Sequence, residues 1–139
     1  MERRGQCMCG AVEFVAKDLS GEASACHCQM CRRWSGSSWL GVVAGEIEWV
    51  RKDALGVLQS SPWAERGFCS KCGSGVYYRV TADGEYQGMT SVSFGALDDP
   101  SEITLTKEWF IDKKPATFGF EGERQTVTEA EVMAMFGDG

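Results

Sequence analysis

Apolar and polar residues alternate along most of the chain, which is the pattern of β-strands with one buried face. The alternation is clearest at 12–14 and 46–51, where apolar residues recur at every second position. Glycines and turn-forming pairs separate the apolar segments. The sequence therefore predicts a mainly β fold of short antiparallel strands. Further strands or extended segments are predicted at 37–45, 55–58, 63–68, 76–80, 86–94 and 104–111.

Two turn signals indicate how these strands connect. Asp83-Gly84 is a typical hairpin pair and predicts that 76–80 and 86–94 are adjacent antiparallel strands. The segment 18–23, with Ser20-Gly21 at its centre, predicts a second hairpin loop. The chain then enters a cysteine-rich stretch, which the pattern predicts to be extended.

Only the C-terminal residues predict a helix. Thr128 is a good N-cap, and Glu131 three positions later completes a capping box. Gly137 is placed to end the helix. A short apolar face follows the cap, and its members are Val132, Met135 and Phe136. We therefore expect a short C-terminal helix attached to a β domain.

The chain has 139 residues and 43% apolar content, which is enough to form the core of one domain. Its longest uncharged apolar stretch, near 40–44, is far shorter than the roughly 18 residues of a membrane-spanning helix. The N-terminal residues lack the apolar segment of a signal peptide. We therefore expect a cytoplasmic protein that makes no membrane contact.

The net charge and the cysteine count narrow the classes of partner. The formal charge is −6. If seven deprotonated cysteines bind two divalent ions, the charge falls to about −9. Such a chain repels nucleic-acid phosphates, so nucleic acid is not an expected partner. Seven cysteines in a reducing compartment indicate metal ligands rather than disulfides, and an odd number cannot pair completely.

Three of the cysteines lie within six positions, namely Cys26, Cys28 and Cys31. In an extended segment Cys26 and Cys28 point to the same side, and the spacing of Cys28 and Cys31 is that of a metal-binding knuckle. Three thiolates leave the fourth position of a tetrahedral ion open for water or substrate. The cluster therefore predicts a site where chemistry takes place.

The remaining cysteines form two pairs about sixty positions apart, Cys7 with Cys9 and Cys69 with Cys72. Together they supply the four thiolates of a closed, structural metal site. Two alternatives remain, since buried cysteines also pack as small apolar residues and Cys69-x-x-Cys72 also matches a redox dithiol. The redox alternative is disfavoured because strand-like residues, not a helix, follow Cys72.

These motifs, taken together, resemble the glutathione-dependent formaldehyde-activating enzyme family, which includes centromere protein V-like proteins. The similarity extends from residue 5 to about residue 99 and is specific to the family rather than to one activity within it. The motifs that carry it are Gly5-x-Cys7-x-Cys9-Gly10-x-Val12, Cys26-His27-Cys28-x-x-Cys31-Arg32-x-x-Ser35-Gly36 and Phe68-Cys69-x-x-Cys72-Gly73-Ser74.

The resemblance implies antiparallel sheets similar to the Mss4-like β-tent, with zinc knuckles at strand ends. It also implies two zinc ions per chain, a structural one and a catalytic one. Residues 1–124 would form the zinc-binding domain, with 125–139 as its C-terminal helical tail. The structural zinc would be held by Cys7, Cys9, Cys69 and Cys72, and the catalytic zinc by Cys26, Cys28 and Cys31.

The resemblance further implies a carbon–sulfur lyase similar to S-(hydroxymethyl)glutathione synthase. Its partners would be a small thiol such as glutathione and a small aldehyde such as formaldehyde. Arg32 and Arg33 are candidates for binding a substrate carboxylate, or else they neutralise the thiolate-rich centre. His27 alternates with Cys26 and Cys28, so it points away from their metal and is predicted to be structural.

Three further possibilities remain open. The chain could be a non-enzymatic zinc-stabilised β scaffold or interaction module of Mss4-like fold, which would leave the three-cysteine cluster unexplained. The same thiolates could hold iron instead of zinc. Finally, Trp34, Trp39 and Trp63 are predicted to pack in the core, with a pocket wall as the alternative use.

Overall fold

The computed structural model describes residues 1–136, which form eleven strands and two α-helices. Short 3₁₀ helices cover Phe94–Ala96 and Ile111–Lys113. The strands are β1 (Arg3–Gln6), β2 (Glu13–Lys17), β3 (Glu22–Cys26), β4 (Trp39–Ala44), β5 (Glu46–Arg51), β6 (Leu55–Ser61), β7 (Ala64–Cys69), β8 (Gly75–Val80), β9 (Thr90–Ser93), β10 (Thr104–Trp109) and β11 (Gln125–Val127). The helices are α1 (Gln29–Ser35) and α2 (Glu129–Phe136).

The strands form two sheets. The smaller sheet is antiparallel in the order β1-β2-β5, and the larger has the order β11-β10-β3-β4-β9-β8-β7-β6. The predicted mainly β fold with a short C-terminal helix is confirmed. Within the larger sheet β10 runs parallel to both β3 and β11, while the other pairs are antiparallel. Parallel neighbours need long connections, so no local turn signal in the sequence announces them.

The hydrophobic core lies where the two sheets face each other. Phe14 of β2 is fully buried, as are Val42 of β4 and Val92 of β9. The Phe14 ring meets Trp49 of β5 edge to face, with 6.0 Å between the ring centroids. Cys69 belongs to the same buried cluster. The core therefore reaches one of the cysteine pairs and holds it in place.

The connection at 18–23 is not the hairpin that the sequence predicts. β2 pairs with β1 and β5, whereas β3 pairs with β4 and β10, so this segment crosses from one sheet to the other. Its path is fixed by backbone hydrogen bonds, since Ser20 N–H donates to the Val43 carbonyl and Gly45 N–H donates to the Asp18 carbonyl. Asp18 adopts a left-handed conformation with a φ of 49°. The Ser20-Gly21 signal therefore marks a bend rather than a hairpin turn.

The predicted pairing of the strands on either side of Asp83-Gly84 is confirmed, but the turn itself is longer. β8 and β9 are antiparallel neighbours, and β9 begins only at Thr90. Residues 81–89 form a loop that closes where Gly88 N–H donates to the Val80 carbonyl over 2.8 Å. The strand predicted from residue 86 is therefore wrong over its first residues, because the loop satisfies their backbone groups locally.

Helix α2 begins with the predicted capping box. Glu131 N–H donates to Thr128 Oγ1 over 3.2 Å, and Thr128 N–H donates to Glu131 Oε1 over 3.1 Å. Of the predicted apolar face only Val132 is buried, while Met135 and Phe136 are exposed. The predicted stop at residue 137 lies outside the described residues. No helix within 1–136 is long and apolar enough to cross a membrane.

Candidate metal centres

The four cysteines predicted to form a closed site come together in the structure. The Sγ atoms of Cys7, Cys9, Cys69 and Cys72 all lie within 4.8 Å of one another. The Sγ atoms of Cys7 and Cys9 are 3.7 Å apart, and those of Cys9 and Cys69 are 3.8 Å apart. Metal–sulfur bonds of about 2.3 Å in a tetrahedron place the sulfurs about 3.8 Å apart. The cluster therefore has the dimensions of a tetrahedral metal site.

Backbone amides and turn glycines shape this four-cysteine cluster. Val12 N–H donates to Cys7 Sγ over 3.3 Å, and Cys72 N–H donates to Cys69 Sγ over 3.4 Å. Gly73, with a φ of 82°, turns the chain directly after Cys72. N–H donors of this kind stabilise thiolates, which are the form that binds a metal ion.

A serine hydroxyl also stabilises the thiolate form at the exposed side of the four-cysteine cluster. Ser74 Oγ lies 3.1 Å from Cys72 Sγ and also accepts a hydrogen bond from Met8 N–H over 3.0 Å. The hydrogen bond from Ser74 lowers the pKa of Cys72 to about 5. Ser74 therefore connects the two knuckles while favouring the thiolate of Cys72.

The three-cysteine cluster is built at the junction of β3 and α1. Cys26 is the last residue of β3, Cys28 is the N-cap of α1, and Cys31 lies inside the helix. Their Sγ atoms lie within 4.8 Å of one another. The structure thus brings together the three residues that the sequence singles out, with Cys26 and Cys28 on extended backbone as predicted and Cys31 on a helix that was not predicted.

The missed helix has one signal in the sequence, at its C-terminal end. Gly36 is left-handed with a φ of 86°, and its N–H donates to the Arg32 carbonyl, which is the usual glycine ending of a helix. At the other end Cys28 Sγ accepts a hydrogen bond from Cys31 N–H over 3.4 Å. Cysteine is not among the residues preferred at an N-cap, so the beginning of α1 gives no sequence signal.

The three thiols interact strongly with one another. A hydrogen bond from the Cys26 thiol lowers the pKa of Cys28 to about 2, and the Cys31 thiol and the Arg66 guanidinium act in the same direction. The same contact raises the pKa of Cys26, because Cys26 then supplies the shared proton. The cluster therefore favours a thiolate at neutral pH, which is the protonation state that a divalent ion requires.

A buried arginine that sequence reasoning missed contacts this cluster. Arg66 of β7 is 5% exposed, and its two terminal nitrogens lie 3.6 and 3.5 Å from Cys31 Sγ. Its guanidinium stands between the rings of Trp34 and Tyr78, at 4.8 and 5.1 Å from their centroids. Nε donates to Ser60 Oγ over 3.2 Å. One signal could have identified Arg66: it lies two residues from Ala64, so both side chains point to the same, buried face of the strand.

His27 points away from the sulfurs, which agrees with its predicted structural role. It is 2% exposed, and its Nε2 lies 2.7 Å from Glu108 Oε1 of β10. Glu108 Oε2 accepts a hydrogen bond from Arg124 over 2.8 Å. Burial alone raises the pKa of Glu108, but its hydrogen bonds to His27 and Arg124 outweigh burial and lower this pKa. The segment between Cys26 and Cys28 is thus tied to the neighbouring strand β10.

The two predicted substrate arginines lie on the surface. Arg32 and Arg33 occupy the last turn of α1, are exposed, and form no ion pair within residues 1–136. Both are close in sequence to Cys31, and their guanidinium groups are available to a ligand. Their role in binding an anion stays a prediction.

A groove of about 720 Å³ runs along the other side of α1. Its walls include the side chains of Trp34 and Trp39, the backbone around Gly95, and Cys7 of the four-cysteine cluster. Trp34 and Trp39 therefore line a pocket, which was the alternative to core packing. Trp63 is 41% exposed and does not pack in the core. Trp34 contacts both this groove and the guanidinium of Arg66. The tryptophan links this groove to the three-cysteine cluster, whose own side chains do not line it.

Comparison with known proteins agrees with the cysteine motifs. The sequence matches the family described as Glutathione-dependent formaldehyde-activating enzyme over residues 2–113. It is also 29% identical over 133 residues to a protein of Schizosaccharomyces pombe (strain 972 / ATCC 24843) that is named an uncharacterized lyase, and the match covers 95% of each chain. The predicted resemblance is confirmed, and this chain belongs to the glutathione-dependent formaldehyde-activating enzyme family.

Proposed function

We propose that this protein is a zinc-dependent enzyme of the carbon–sulfur lyase type, which adds a small thiol to a small aldehyde or reverses that addition. One observation carries the proposal: three cysteines meet in a cluster that leaves a tetrahedral ion one ligand short, while four others form a complete shell. Family membership and the lyase name of the yeast relative support the same reaction class.

We assign zinc to both clusters, because thiolate-rich donor sets of tetrahedral size suit this ion. The four-cysteine cluster would hold a structural zinc, and the three-cysteine cluster of Cys26, Cys28 and Cys31 a catalytic one. A reducing cytoplasmic location would keep all seven thiols available for these ions.

The chemistry requires a thiolate next to an aldehyde carbon. Bound zinc supplies the first requirement, because it stabilises the deprotonated form of a thiol at neutral pH. In the forward direction a sulfur–carbon bond forms, the carbonyl π bond breaks, and the carbonyl oxygen takes up a proton to give a hydroxymethyl thioether. The reverse reaction breaks the same bond and returns thiol and aldehyde.

The chain's own residues would bind and orient the reactants. Arg32 and Arg33, in the last turn of α1, would pair with the carboxylates of an anionic thiol such as glutathione, which the acidic protein otherwise repels. Trp34 and Tyr78 present apolar surface around Arg66 and limit the access of water to the cluster. Holding both reactants together is the contribution that can lower the barrier most.

The test combines metal analysis with a rate measurement. The protein is loaded with zinc, and the disappearance of formaldehyde with glutathione is followed by NMR against a no-protein control, since the uncatalysed addition also proceeds. We expect two zinc ions per chain and a rate above the control that is lost in Cys28→Ser. One zinc per chain with no acceleration would contradict the proposal and favour the non-enzymatic scaffold.

The choice of thiol is tested in the same assay. Replacing glutathione with 2-mercaptoethanol removes the carboxylates but keeps a thiol. If Arg32 and Arg33 bind those carboxylates, the double variant Arg32→Ala/Arg33→Ala should raise KM for glutathione and leave KM for 2-mercaptoethanol unchanged. Equal changes for both thiols would assign the two arginines to another role.

A further inference from the structure

Arg66 places a positive charge directly against a ligand of the three-cysteine cluster. Cys31 is 3% exposed and Arg66 is 5% exposed, so their contact is shielded from water. Both terminal nitrogens of the guanidinium reach Cys31 Sγ, at 3.6 and 3.5 Å. Burying a charged guanidinium is costly unless it has a charged or strongly accepting partner, and a thiolate is such a partner. The contact between Arg66 and Cys31 is therefore the one expected if the three-cysteine cluster carries negative charge.

The charge of the occupied cluster explains why a buried cation is needed there. A divalent ion on three thiolates carries one net negative charge, and a thiolate in the fourth position raises this to two. At the four-cysteine cluster the same double charge is shared with solvent through Cys9, which is exposed, whereas the three-cysteine cluster has only the partly exposed Cys26 and Cys28. Cys31 has no such access to water. Arg66 would offset one unit of this charge at the ligand that is buried.

The position of Arg66 is fixed from three sides. The rings of Trp34 and Tyr78 both contact the guanidinium, and Ser60 Oγ accepts the hydrogen bond from Nε. Tyr78 lies opposite Arg66 on the neighbouring strand β8. The terminal nitrogens are therefore directed at Cys31 before any substrate arrives, so no ordering of the side chain is needed when charge accumulates.

We propose that Arg66 is a positioning residue that allows the three-cysteine zinc site to accept an anionic fourth ligand, in particular a substrate thiolate. A thiol entering the site would lose its proton to solvent, with no oxidation or reduction, and Arg66 would face the negative charge that its sulfur brings. A neutral fourth ligand adds no charge and does not need Arg66. The inference rests on the proposed function and specifies which residue makes the site selective for a thiolate.

The test uses the protein loaded with Co²⁺ in place of Zn²⁺, because sulfur-to-cobalt absorption reports directly on the ligands. Glutathione and imidazole are titrated separately into wild type, Arg66→Met and Arg66→Lys, after metal analysis has established two ions per chain. The matched control is Arg79→Met, which removes an exposed arginine from the neighbouring strand β8. Imidazole serves as the neutral fourth ligand.

We expect Arg66→Met to bind glutathione about 10- to 100-fold more weakly than wild type, which is the range of a hydrogen bond to a charged group. Arg66→Lys keeps the charge but not the two-pronged contact and should recover part of the affinity. Imidazole affinity should be the same in all variants, and Arg79→Met should behave as wild type.

The possible failures have distinct meanings. If the wild-type spectrum does not respond to glutathione, the proposed function is wrong. If the wild-type spectrum responds and Arg66→Met binds glutathione equally well, the role of Arg66 is overturned while the proposed function stands. Equal weakening of glutathione and imidazole, or loss of the second ion from both Arg66 variants, would also overturn it, since Arg66 would then support the cluster itself.

Discussion

His27 Nε2 lies 2.7 Å from Glu108 Oε1, although the two residues are 81 positions apart in the chain. The contact joins the segment between two cysteines of the three-cysteine cluster to strand β10. Arg124 extends it by donating to the other carboxylate oxygen of Glu108 over 2.8 Å. Arg124 lies beyond residue 113, where the family match ends. The C-terminal segment therefore supports the cluster even though its sequence lies outside the shared motifs.

Glu108→Ala should destabilise the protein by about 3 kcal/mol, because it leaves the buried guanidinium of Arg124 without its partner. The free energy of unfolding measured in urea checks this value. The matched control is Glu48→Ala, which removes a carboxylate 2.7 Å from its partner Lys17 but on the surface. That change should cost less than about 1 kcal/mol. Similar losses in the two variants would contradict a stabilising role for the buried chain of contacts.

The lowered pKa of Glu108 also predicts a pH dependence. A carboxyl whose pKa is lower in the folded state stabilises the protein above its ordinary value of 4.5, and this stabilisation is lost as pH falls through the folded-state pKa. Glu108→Gln removes the titration and keeps a hydrogen-bonding group. The difference in unfolding free energy between wild type and Glu108→Gln should therefore shrink as pH falls below about 4.5. A difference that stays constant from pH 6 to pH 3 would show that the charge of Glu108 does not stabilise the fold.

The sequence predicts the parts of this protein that depend on local signals. Strand alternation placed β5 at its observed residues, and the capping box of Thr128 and Glu131 placed α2. Cysteine spacing grouped all seven cysteines as the structure does. Local signals do not specify the parallel pairing of β3 with β10, because it depends on the packing of distant segments.

Two features of the site were missed for different physical reasons. Helix α1 has only seven residues and its N-cap is a cysteine, so neither hydrophobic periodicity nor a preferred cap predicts it. Arg66 looks like an ordinary surface charge on a strand until Trp34 and Tyr78 are seen to enclose it. The contact of Arg66 with Cys31 comes from the stacking of α1 on the sheet, which single-sequence patterns do not encode.

The two clusters should respond differently to the loss of one cysteine. Cys28→Ser should lose one metal ion and the activity while the fold persists, because the core does not depend on this cluster. Cys69→Ser should abolish cooperative folding, since Cys69 is fully buried in the core and a structural zinc contributes folding energy directly. Metal content and thermal unfolding by circular dichroism measure both effects. The proposed division between a catalytic and a structural site would fail if both variants lost structure equally.

The spacing between β8 and α1 leaves no room for a side chain at Gly75. A Cβ atom there would lie 2.8 Å from Cζ2 of Trp34, so Gly75→Ala must displace the ring that covers Arg66. We expect a loss of about 1–3 kcal/mol in stability from this overpacking, with a higher KM for the thiol. Gly95→Ala is the matched control, because it lies in the same groove with open space around its Cβ position.

Measuring both unfolding in urea and the KM for glutathione separates the two effects of Gly75→Ala. If Trp34 acts only as a packing residue, stability falls while the KM of the folded enzyme is unchanged. If Trp34 holds Arg66 against Cys31, the KM rises as well, and in the Arg66→Met background Gly75→Ala should raise it no further. Additive effects of the two substitutions on KM would show that the tryptophan influences substrate binding by a route other than Arg66.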